Sequence, residues 1–129
     1  MDRRQFALLS CILAPSLGAD ERSDALEAVE PFATALSDGD IANALRFLPE
    51  DSAALRTNVR ALLSQATCVS SVAVVNVESD TAGLDWYLRL LSRATNGLLA
   101  SRRDVVRLRW RKRNIISLEP ASFFEPYKP

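Results

Sequence analysis

The feature that most constrains this chain is a change of hydrophobic period at Cys68. Before that residue, apolar side chains recur every three to four positions; after it, they alternate. The first spacing lines one face of a helix and the second one face of a strand. In the helical half, Ala25, Val29, Phe32, Ala33 and Leu36 form a stripe, and Asp24 with Glu27 makes a capping-box start. Pro31 falls inside the stripe and predicts a kink or a detached first turn, because it lacks the N–H the helix needs. Gly39 suits a helix end, and Asp40 can cap a short second helix carrying Ala42, Leu45 and Leu48 until Pro49 stops it. A third helix begins near Asp51-Ser52 with the stripe Leu55, Val59, Leu62, Leu63 and Ala66.

From Cys68, "CVSSVAVVNV" is rich in β-branched residues and reads as a strand. Leu84, Trp86, Leu88 and Leu90 then alternate with polar positions, as do Val106, Leu108 and Trp110, and a last strand runs through Ile116 and Leu118 to Pro120. If Trp110 and Ile116 both face the core they are paired, and Leu108 pairs with Leu118. That register leaves Lys112-Arg113-Asn114 as a three-residue loop with Asn114 left-handed, and sets Arg107 opposite Glu119. A two-residue loop would join even to odd positions and turn one core set into water. Asn96-Gly97 is a turn signal, but a two-residue turn there would set Trp86 opposite Arg107. A longer loop or a bulge within Ser92–Asp104 is therefore expected.

The run "RLRWRKR" at 107–113 puts five positive charges into seven positions. Lys112 and Arg113 belong to a turn and Arg107 faces a carboxylate, so a solvated strand face protected from edge pairing is the favoured reading. The competing reading is an anion-binding surface of Arg102, Arg103, Arg109, Arg111, Lys112 and Arg113. Charge is uneven along the chain: Asp20 to Asp85 holds twelve acids and four bases, and Trp86 to Pro129 three acids and ten bases. The formal net charge of zero favours attraction between two parts of one domain over nucleic-acid binding.

No histidine is present, which removes Ser-His-Asp and Cys-His catalysis and histidine-based zinc sites. Glycine-rich phosphate loops, CxxC pairs, calcium loops and repeats are also absent, so no cofactor and no metal is expected. Residues 1–19 have a basic start at Arg3-Arg4, an apolar stretch from Phe6 to Leu17 and a small-residue end at Gly18-Ala19. This is the layout of a signal peptide, with Arg3-Arg4-Gln5-Phe6 resembling a twin-arginine signal. The apolar stretch is shorter than the roughly 20 residues a membrane span needs. The expectation is an exported protein, periplasmic or extracellular, with one domain over 20–129. Its single mature cysteine, Cys68, then forms no internal disulfide and reads as a small buried hydrophobe.

Three helices followed by long antiparallel strands resemble the nuclear transport factor 2-like superfamily, which includes SnoaL-like cyclases and ketosteroid isomerases. The residues that carry the resemblance are "DALEAVEPFATALSDGDIANALRFLP" and the closing "NIISLEPASFFEP", over roughly Asp24 to Pro126. It implies an α+β cone in which the helices pack on a curved antiparallel sheet of about four strands. Leu84, Trp86, Leu88, Val106, Leu108 and Trp110 would line the cone. The short hairpin that many members insert before the third helix has little room between Leu48 and Asp51. Enzymes of the family keep acid–base residues inside, whereas none of these six can move a proton at neutral pH. Tyr87 and Asp85 would point outward, and Asp38 and Asp40 flank a helix break.

The chain therefore reads as a non-catalytic domain that binds an apolar small molecule or a protein partner. A SnoaL-like enzyme and a binder of anionic polymer or lipid are the alternatives. The second sheet face, with Tyr87, Leu91, Val105 and Ile115 among charges of both signs, suits a homodimer. The resemblance points the same way.

Overall fold

Three helices and four strands follow one another in the order the hydrophobic periods require. The computed structural model describes residues 13–128. It places α1 at Leu13–Asp38, α2 at Ile41–Arg46 and α3 at Ala53–Gln65. Strands β1 (Ala66–Glu78), β2 (Thr81–Ser92), β3 (Leu98–Arg111) and β4 (Asn114–Glu119) form one antiparallel sheet in sequence order. A short 3-10 turn, Ala121–Phe124, closes the chain. The architecture is α+β, with helices packed on an open sheet. Most of the expected leader lies outside the described residues.

Helix α1 buries Ala25, Val29, Phe32 and Leu36 of the expected stripe, and Ala28 and Ala35 beside them, while Ala33 is only partly buried. The expected cap fails in this helix, and of the two outcomes expected of Pro31 the detached turn does not occur. The helix begins well before Asp24, so Asp24 and Glu27 sit inside it and cap nothing. It also runs on through Pro31 without splitting. Pro31 lies on the exposed side, while the buried stripe on both sides of it holds the helix through tertiary packing, where most helical stability resides. Gly39 ends the helix at φ +70°, and the Asp40 carboxylate accepts the Asn43 N–H at 3.1 Å, capping α2 as expected. In α2 the buried alanine is Ala44, whereas Ala42 is exposed. Helix α3 buries Leu55, Val59, Leu62 and Leu63 and passes into β1 with no residue between them.

Register in the sheet is set by core-facing pairs. Cys68 faces Leu90, Val74 faces Leu84, and Leu84 in turn faces Val106. Between β2 and β3 the ladder shifts beside Leu90, leaving Leu99 as the extra residue, inside the stretch where a bulge is required. Leu108 pairs with Leu118 and Arg107 with Glu119, also as expected.

The tip of the β3–β4 hairpin differs. Trp110 pairs with Ile115, not Ile116, and the ladder shifts between Arg109 and Trp110, so Ile116 is the bulged residue. Ile115 is 5% exposed and Ile116 40%. The connection is a two-residue turn, and Lys112 at φ 57° adopts the left-handed conformation expected of Asn114. Physically, the bulge changes parity once and the short turn changes it once, so Trp110, Ile115, Leu108 and Leu118 all remain buried.

Candidate functional site

Two surfaces of the sheet are candidates, and they differ in what covers them. The inner face carries the six residues expected to line an interior: Leu84, Trp86, Leu88, Val106, Leu108 and Trp110. All six are buried. The space in front of them is occupied by side chains. Phe32 from α1 meets the Trp86 ring edge-on at 6.0 Å, Phe124 meets it at 5.1 Å, and Phe123 lies at 6.4 Å. The indole Nε1 donates to Ser70 Oγ at 2.8 Å, so even the polar end of this tryptophan is satisfied. Among the described residues no polar or charged side chain is buried.

Sequence reasoning left the closing aromatic pair without a role, and the structure gives it one. Phe123 and Phe124 are a lid on Trp86. The segment around them is held by side chains of α3 and β3: Asn58 donates to the Ala121 carbonyl at 2.9 Å and Arg102 to the Phe123 carbonyl at 2.9 Å. Two adjacent aromatics just after a strand end were the only signal available.

Of the six candidate anion-binding residues, Arg103, Arg109 and Arg111 take alternate positions on the outer face of β3, and Arg102 faces the other way. Arg102 lies opposite Leu88 on the inner-facing side and is half-buried. Burial lowers its pKa, and Glu125 and then Cys68 offset part of that effect. Arg103 donates twice to Asp85, Arg109 Nη2 lies 3.8 Å from Asp80, and Arg113 Nε lies 3.7 Å from Glu27. Arg111 and Lys112 are exposed and have no ion pair among the described residues. Cys68 is buried, which pushes its thiol up to about 11 against the pull of Arg102. The thiol is therefore protonated at neutral pH and unreactive.

No helix among the described residues covers the outer face. Val69, Tyr87 and Val105 are exposed there, at 43%, 39% and 54%. Val105 stands opposite Asp85 and Tyr87 opposite Arg103, so Tyr87 and Val105 are diagonal neighbours. A shallow cleft of about 260 Å³ opens between Ser71, Ala73, Asp85, Tyr87 and Arg103. Ile115, expected on this face, is buried on the other side, and Ile116 points outward in its place.

A larger cleft of about 810 Å³ lies between α1, α2 and the β3–β4 turn. It is edged by Glu27, Glu30, Asp38 and Asp40, with Phe47 and Arg113 in its wall. Periodicity could not show it, because it forms where three separate elements converge. Compared with family models, curated proteins and solved structures, the chain matches none of them.

Proposed function

We propose that this chain is an exported, non-catalytic interaction domain of the nuclear transport factor 2-like kind, which works through its outer sheet face by pairing with a second copy. The observation that carries the reading is the contrast between the two faces. The inner face is filled by Phe32, Phe123 and Phe124 against Trp86, whereas the outer face leaves Val69, Tyr87 and Val105 exposed beside a neutral Asp85–Arg103 pair. Apolar residues rimmed by charges of both signs are the composition of a modest two-fold interface. The same packing speaks against an apolar ligand inside. Hydrocarbon side chains around Trp86 speak against isomerase-like chemistry, which needs a base and an oxyanion donor there. The pairing of Arg103, Arg109 and Arg113 with carboxylates speaks against an anionic polymer.

The test is sedimentation at micromolar concentration with wild type and Tyr87→Glu. A wild type that self-associates, and a Tyr87→Glu variant that loses one step of that association with its melting transition kept, is the expected result. A wild type that stays monomeric over the whole concentration range refutes the reading.

A further inference from the structure

The two edges of the sheet are treated differently. Along β1, the open edge is capped from α1: Ser70 N–H donates to Ser37 Oγ at 3.2 Å, and Arg22 Nη1 donates to the Val74 carbonyl at 2.8 Å. β3 has fourteen residues and β4 six, so β4 reaches only as far as Arg107 and, among the described residues, Leu98–Val106 have no strand partner on that side. Arg107 faces Glu119, and Val105 N–H donates to its neighbour Asp104 at 2.7 Å. Ser101, Arg103 and Val105 therefore turn their backbone polar groups toward this open edge. Such an edge is a template for another strand, and charge is the usual guard. Here the charges around Arg103 are opposite in sign and symmetrically placed, Arg102 before it and Asp104 after it, both on the inner-facing side.

We propose that this β3 edge pairs antiparallel with the same edge of a second copy, about a two-fold axis at Arg103. In that register Arg102 of each copy, one nitrogen of which stays on its own Phe123 carbonyl, stands opposite Asp104 of the other and has its remaining N–H groups for that carboxylate, so a single sequence supplies both halves of two ion pairs, as an isologous contact requires. Ser101 stands opposite Val105, whose N–H exchanges the Asp104 carboxylate for a ladder carbonyl and frees that carboxylate for Arg102. The two Arg103 side chains meet on the axis, each already neutralised by its own Asp85. The product is one continuous sheet twice as wide, with the described helices on one side and the two outer faces adjoining. This contact does not use Tyr87 and stands independently of the face pairing.

Residues directly opposed in a hydrogen-bonded antiparallel pair have Cα atoms about 5.5 Å apart, within disulfide reach. In a Cys11→Ser background, Arg103→Cys under mild oxidation is expected to form a covalent dimer roughly tenfold faster than Arg60→Cys, an exposed position on α3. Adding Asp104→Arg should slow the reaction about tenfold by setting like charges opposite each other. Equal rates at the two cysteine positions, or a rate indifferent to Asp104→Arg, overturn the proposal. Adding Tyr87→Glu should leave the cross-link intact, which separates this contact from the outer-face dimer.

Discussion

Arg103 reaches diagonally from β3 to β2 and donates two hydrogen bonds to Asp85, Nε to Oδ1 at 3.1 Å and Nη2 to Oδ2 at 2.8 Å. The register places Tyr87, not Asp85, directly opposite Arg103, so the pair runs along one diagonal of the ladder and Tyr87 and Val105 along the other. A fork-on-carboxylate geometry is the strong form of such a contact.

This pair makes stability depend on acid. The hydrogen bond from Arg103 is the main cause that lowers the Asp85 pKa. A carboxyl whose folded pKa is depressed contributes stability above its unfolded value, about 3.9, and loses it as pH falls through the folded value. Asp85→Asn should lower the denaturation midpoint at pH 7, and the gap to wild type should close near pH 2. A gap of equal size at both pH values would show that the carboxylate charge contributes nothing.

Trp86→Ala should cost about 3–5 kcal/mol, as large aromatic truncations in cores do. It removes a fully buried ring, three aromatic neighbours and the partner of the Ser70 hydroxyl. Phe124→Ala should fall in the same range, about 3–5 kcal/mol. The double variant should lose less than the sum, because the two rings touch. Denaturant melts of the three variants measure this; strict additivity would place the rings in separate clusters.

Ile115 and Ile116 offer a test of the hairpin. Ile115→Ala should cost about 2–5 kcal/mol and Ile116→Ala within about 0.5 kcal/mol of nothing. The reverse order in a urea titration would restore the three-residue turn and the Trp110–Ile116 pair.

Removal of residues 1 to about 19 on export is expected from their basic, apolar and small-residue segments. Mass spectrometry of the exported protein should find its N-terminus near Asp20. An intact Met1 in that pool would end the expectation that residues 1 to about 19 are removed.

Much of the sheet was legible because alternation over Leu84–Leu90 and Val106–Trp110 admits few registers. Pairing Leu108 with Leu118 follows from it, as does the irregularity that the structure places at Leu99. The hairpin tip was not legible. With two adjacent isoleucines, hydrophobicity alone does not say which one faces in, and one bulge reverses the answer. The lid of Phe123 and Phe124 was hidden for a different reason: a four-residue 3-10 turn is too short to show a period. Charge pattern misled over Arg102, whose half-buried position depends on a strand pairing no local signal reveals.

Gln65 is the last residue of α3, and its side-chain amide also grips the tail, donating to the Tyr127 carbonyl at 2.6 Å and accepting from the Tyr127 N–H at 2.7 Å. All four strands lie between these two residues. The sheet-bearing half of the chain therefore departs from one side chain and returns to it, a ring closed by two hydrogen bonds instead of a covalent link. Opening that clasp frees the chain only beyond Phe123, because Asn58 and Arg102 still hold Ala121 and Phe123, so fraying that starts at the tail meets a second fastening before it reaches the lid.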